Sequence, residues 1–141
     1  MIFQKTHYNT DVQIGAMKNR YPQFTVNKRG QFDIEFIGNL IVNPVFPVYT
    51  VSINYRGRLR PLVKIIKPVL VEDPPHFYKI SHSLCLYHPR NYNWTKEKLI
   101  AKDIVSWTAA WIYFYEKWLQ TEIWYGPEVE HDEDLIKAEI D

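Results

Sequence analysis

From Phe24 to Lys67 the chain is cut into short β-prone runs by turn residues, and within those runs apolar side chains fall at every second position. Phe32, Ile34 and Phe36 form one such series, and Tyr49, Val51, Ile53 and Tyr55 form another. A period of two puts each series on a single face of a pleated strand, so the pattern predicts an antiparallel meander with one face buried and the other wet or helix-covered. Four strands are expected, at Gln23 to Asn27, Gln31 to Ile37, Val48 to Tyr55 and Leu62 to Ile66. Asn27-Lys28-Arg29-Gly30 and Tyr55-Arg56-Gly57-Arg58 read as the hairpin turns, each with a glycine available for positive φ.

Helical patterns flank this meander. Thr10-Asp11-Val12-Gln13 has the spacing of a capping box and predicts a short helix ending near Arg20, because Pro22 disfavours helix at Tyr21. Towards the other end, one or two helical turns are expected over Thr95 to Ile100, then a long helix over Lys102 to Thr121. Its apolar stripe is expected to run through Ile104, Trp107, Trp111, Phe114, Tyr115, Trp118 and Leu119. Between strands and helix, Pro68 and Asp73-Pro74-Pro75 stop regular pairing and predict an ordered loop from about Val69 to Trp94. The expected class is α+β, as one domain over residues 1–141.

Composition narrows the partners. Seventeen basic residues against sixteen acidic ones give no field that would recruit nucleic acid or an anionic membrane, which leaves a protein or a small molecule. Arg56, Arg58, Arg60, Lys64 and Lys67 are locally basic and read as a solvated strand edge. No run of eighteen apolar residues is present and the N-terminus lacks the order of a signal peptide, so a cytoplasmic location is the expectation.

The loop holds the only cysteine, Cys85, with His76, His82 and His88 within nine residues of it. A thiolate attacks carbonyl carbon readily and forms a thioester that an amine displaces, provided that the thiol is accessible and a base or a lowered pKa activates it. The proline-bounded loop is expected to supply access, and the histidines are candidate bases or positioning groups. The alternative is packing, since cysteine is among the most often buried residues and Leu84-Cys85-Leu86 is apolar. His82-x-x-Cys85-x-x-His88 lacks the second ligand pair of a tetrahedral zinc site. Glu128 and His131 lie in an acidic terminal run that would matter only if it folds back to the loop.

A helix, a four-stranded meander, a long segment with Leu84-Cys85-Leu86, Trp94 nine residues on, and then helices: this order resembles the ubiquitin-conjugating enzymes. His76 stands where that family carries the histidine of its His-Pro-Asn motif, but Phe77 and Tyr78 follow it, so the asparagine that assists isopeptide formation is missing. The run Cys85-Leu86-Tyr87-His88-Pro89, with Trp124, Gly126, Glu128 and His131 downstream, is most similar to the stand-alone conjugating-enzyme-like proteins of bacterial CBASS antiphage systems. The resemblance implies a thioester between Cys85 and the C-terminus of a protein partner, either a cyclic-nucleotide synthase or a ubiquitin-like protein, followed by transfer to an amine. It further implies support from His76 and His82, with His88 and His131 behind them, no metal or organic cofactor, and an upstream step that activates the carboxyl terminus, in a separate enzyme or otherwise. A conjugating-enzyme-like domain that only binds a protein tail, and a structural subunit whose aromatic helix completes an assembly, are the competing readings.

Overall fold

The computed structural model describes residues 10–87 and 92–127. Helix α1 (Thr10–Arg20) leads into four strands, β1 (Thr25–Gly30), β2 (Asp33–Leu40), β3 (Tyr49–Arg56) and β4 (Leu59–Lys67). These pair antiparallel in the order β1-β2-β3-β4, the expected meander. A two-residue hairpin follows, β5 (Phe77–Tyr78) with β6 (Ser83–Leu84), and then a π-helical turn, Ile100–Ile104, runs straight into α2 (Val105–Thr121). The architecture is α+β, with an N-terminal helix, a four-stranded antiparallel sheet and a C-terminal helix.

From Ile34 onward the alternation does what a period of two dictates, whereas Phe32, expected to open the first series, sits in the β1–β2 turn and is 46 % exposed. Ile34, Phe36, Tyr49, Val51, Ile53 and Tyr55 are all fully buried, and they join Met17, Ile100, Ile104, Trp111, Ile112 and Tyr115 in one hydrophobic cluster. The opposite face is polar and cross-linked across strands. Ser52 donates to Glu35 at 2.7 Å, Asn54 to Asp33 at 2.8 Å, and the Arg29–Glu35 ion pair closes at 2.6 Å.

Two local expectations are corrected. Asn27–Gly30 is not a turn: it continues β1, with a register shift between Lys28 and Gly30, and the chain reverses at Gln31 and Phe32. The bulge absorbs one residue, which hides the true turn from a reading based on glycine position. The second hairpin turns where expected, on Gly57 at φ 68°. Thr95 to Ile100 forms a turn in place of helix, with the Lys98 amide donating to the Thr95 carbonyl at 3.0 Å.

The proposed capping box is also replaced by longer-range bonds. Thr10 donates its hydroxyl to the Gln31 carbonyl, and Gln13, fully buried, reaches the segment ahead of the π turn. Its amide nitrogen donates to the Lys98 carbonyl at 2.7 Å and its carbonyl oxygen accepts from the Ile100 amide at 3.0 Å. Gln13→Leu keeps the volume and orphans both backbone groups. It is expected to lower unfolding free energy by about 1–3 kcal/mol, measured by urea denaturation.

Candidate active site around Cys85

β5 and β6 exist because the proline-rich stretch before them cannot pair, while Phe77-Tyr78 and Ser83-Leu84 can. Non-glycine residues Asp73, His76 and His82 all take positive φ, at 53°, 51° and 53°, so the chain folds tightly back on itself ahead of the hairpin and within its turn. Cys85 follows β6 directly, and its amide donates to the His76 carbonyl at 2.9 Å. The same carbonyl accepts from the Trp111 indole at 2.9 Å, which ties the hairpin to α2.

The thiol is not open to solvent. Cys85 is 3 % exposed, which corrects the expectation that the loop presents it freely. The cause is the hairpin itself, which sets Leu84 in the core cluster with the buried Cys85 directly after it, while β6 packs on β4. The sulfur nevertheless has polar company. The Tyr78 hydroxyl is hydrogen-bonded to it, and the thiol lies 3.7 Å from the Tyr87 carbonyl, to which it donates.

Arg60 of β4 completes this surrounding. Its guanidinium sits 4.5 Å from the centre of the Tyr78 ring, a cation–π contact, and its Nε and Nη2 are buried without a hydrogen-bond partner among the described residues. The Tyr87 hydroxyl is buried and unpartnered in the same sense. Tyr87 is wedged in an aromatic cluster, its ring 4.7 Å from that of Tyr92 and 5.4 Å from that of Trp107. Burial pushes its phenol up to about 12, the positive charge of Arg60 works against that rise, and Cys85 adds to it. Burial, then the charge and hydrogen bond of Cys85, likewise drive the Tyr78 phenol above its ordinary value. Both hydroxyls are therefore held protonated, as donors, at neutral pH.

Of the residues singled out from sequence, His76 meets Cys85 through its backbone carbonyl, and its ring lies 4.6 Å from that of Trp124. His82 is exposed at the hairpin turn with its ring edge-on to Phe77 at 6.3 Å. It also lines a groove of about 400 Å³ whose other walls include Ile66, Val69, Val71 and Pro74. His88, Glu128 and His131 lie outside the described residues. Trp94 is buried, and its indole donates to the Gly57 carbonyl at 2.9 Å, pinning the segment beyond the site to the β3–β4 turn.

Tyr78, Tyr87 and Arg60 are the site residues that sequence reasoning missed. Arg60 read as part of a solvated basic edge, whereas it turns inward while Arg58, Lys64 and Lys67 remain exposed. The available signal was Tyr78 itself, standing two residues after His76 where the resemblance calls for a polar side chain. Among the described residues, no group of three or more histidine, cysteine or acidic side chains is placed to hold a metal ion, and no helix is long and apolar enough to cross a membrane.

No curated protein matches the chain. The Type II CBASS E2 protein family does, over residues 13–132, a span that takes in most of α1, the whole meander, the Cys85 hairpin and α2. The chain belongs to that family, and its role is a conjugation-related one played with protein partners in CBASS defence.

Proposed function

We propose that the protein, as one domain of the ubiquitin-conjugating type, is a cysteine-dependent transferase in which Cys85 accepts the carboxyl terminus of a protein and passes it to an amine. The donor in this reading is the C-terminus of a cyclic-nucleotide synthase, with a ubiquitin-like protein as the other candidate. Upstream activation supplies that terminus as a thioester or an acyl adenylate. The Cys85 thiolate adds to the acyl carbon, a C–S bond forms, and the bond to the activating group breaks with its electron pair leaving on that group. An amine nitrogen then adds to the same carbon, the C–N bond forms, the C–S bond breaks, and sulfur departs with its pair while the amine proton passes to a base.

The observation that carries this reading is the environment of the sulfur: a hydroxyl bonded to it and, on the ring that bears that hydroxyl, a guanidinium with open donors, where a packing cysteine needs neither. A thioester is already activated, so positioning and oxygen stabilisation are what the protein has to add. His76 positions the hairpin through its carbonyl, and His82, at the exposed turn, is the imidazole open to an incoming amine. Burial of the thiol means that donor docking has to displace its cover before attack.

That same burial favours a second reading, a domain that binds a protein tail without reacting with it. The two are separated by incubating the protein with its neighbours in the defence system and ATP and examining the products on non-reducing gels. The transferase reading expects an adduct that thiol reagents cleave and that Cys85→Ala lacks. Binding without an adduct, together with Cys85 that iodoacetamide reaches only after denaturation, supports the binder.

A further inference from the structure

Buried polar atoms without partners are rare, because each forfeits its solvation and recovers nothing, and three of them belong to Arg60, packed on the Tyr78 ring, and Tyr87, whose carbonyl receives the Cys85 thiol. Two belong to Arg60. Nε and Nη2 form one edge of the guanidinium, the side-on fork whose two N–H groups point the same way and fit a single oxygen or a pair of oxygens. The third is the Tyr87 hydroxyl, whose backbone carbonyl accepts from the Cys85 thiol. Arg60 lies 4.5 Å from the Tyr78 ring centre, the Tyr78 hydroxyl is bonded to Cys85, and the thiol donates to the Tyr87 carbonyl, so the four residues form one connected set. Such a set of orphan donors is what an anionic or strongly polarised oxygen would satisfy, and none of the described residues supplies that oxygen.

We propose that Arg60 and Tyr87 bind the carbonyl oxygen of the acyl group carried on Cys85 and hold the negative charge it acquires during transfer. The assignment rests on Cys85 being the acyl-accepting nucleophile. When sulfur or amine adds to the acyl carbon, the C=O π pair moves onto oxygen, and it returns as the leaving group departs. Donors fixed in advance at that position lower the barrier without reorganising. Tyr78 is bonded to the sulfur and orients it. Its ring also carries the Arg60 cation, which keeps the guanidinium at the site where none of the described residues pairs it with a carboxylate.

The test uses the full-length protein and acetyl-Gly-Gly mercaptoethanesulfonate thioester, whose acyl group passes to Cys85 with release of the free mercaptan. Acylation is followed by intact mass over a range of probe concentrations. R60Q is expected to slow the saturating rate about 10²-fold, with the half-saturating concentration little changed. R60K should recover only part of the loss, because an ammonium keeps the charge and lacks the fork. Y87F should slow acylation about tenfold without lowering the thermal midpoint, since it deletes a hydroxyl that has no partner. Alkylation of Cys85 by iodoacetamide needs the thiolate but develops no oxyanion, so its rate should hold in R60Q and Y87F. Wild-type acylation rates in both variants, with C85A inert, overturn the roles of Arg60 and Tyr87 and leave the nucleophile standing. Equal losses in alkylation and acylation overturn them too. Should R60Q fail to fold, Y87F decides alone: slowed acylation with intact alkylation supports the assignment, and an unchanged rate overturns it. Absence of acylation in the wild type, or acylation of C85A, removes the nucleophile reading and this inference with it.

Discussion

Cys85→Ala is expected to reduce adduct formation to background while leaving the protein folded. The chain has one cysteine, so no second thiol substitutes for it. Removing the Cys85 Sγ deletes about one methylene-sized group from the core, on the order of 1 kcal/mol. It also leaves the buried Tyr78 hydroxyl without that acceptor, a further cost of about 1–3 kcal/mol. Both are small beside the total loss of a nucleophile. Cys85→Ser refines the result. Its hydroxyl keeps an acceptor for Tyr78 but ionises far less readily than a thiol, so any adduct should form slowly. That adduct would be an oxyester, resistant to thiol reagents and cleaved by base. Intact mass, thiol treatment and circular dichroism of the three proteins separate these outcomes, and full biological activity in Cys85→Ala would leave the sulfur with no role in transfer.

The sheet was legible because its signal is local and repeated. Ile34, Phe36, Val51 and Ile53 announce their shared face through spacing alone, and all four are fully buried. The helix was legible in extent but less so in orientation. The π turn at Ile100–Ile104 places an extra residue in one turn of backbone, which rotates everything after it relative to a straight α-helix. The buried face of α2 runs through Val105, Thr108, Trp111, Ile112 and Tyr115, and Leu119, expected on the stripe, lies in the last turn and is 44 % exposed. Thr108 is acceptable there because its hydroxyl donates to the Ile104 carbonyl at 2.7 Å.

The site divides in the same way. Cys85 could be picked out from its tripeptide, whereas Tyr78 and Arg60 come from other strands and meet it only because the β5–β6 hairpin folds onto β4. Local pattern marks neither: a tyrosine next to Phe77 reads as strand unless its offset of two from His76 is weighed, and an arginine among Arg56, Arg58 and Lys64 reads as surface. Inward rotation of Arg60 is a tertiary fact. It follows from the Tyr78 ring offering its face, and from the Arg56 side chain taking the Arg60 carbonyl, with Nε donating at 2.9 Å.

Trp111→Ala is expected to destabilise the fold by about 3–5 kcal/mol, the range for emptying a large aromatic site in a core. The indole is buried, stacked on Tyr115 at 5.0 Å and 13° and in contact with Trp124 at 6.0 Å, so its removal leaves a cavity that α2 and the sheet cannot close. Trp111→Phe separates packing from hydrogen bonding. It keeps a ring against Tyr115 but removes the donor to the His76 carbonyl, the atom that also receives the Cys85 amide. That bond should be worth about 1 kcal/mol to global stability, while its loss frees the hairpin that carries the thiol from α2. Trp111→Phe should therefore unfold at a denaturant concentration between those of the wild type and Trp111→Ala. It should also alkylate at Cys85 faster than the wild type under native conditions, because the hairpin opens locally at lower cost than the whole fold. Unchanged alkylation in Trp111→Phe, with the expected loss of stability, would mean that the cover over the sulfur is set by the sheet and not by this link to the helix.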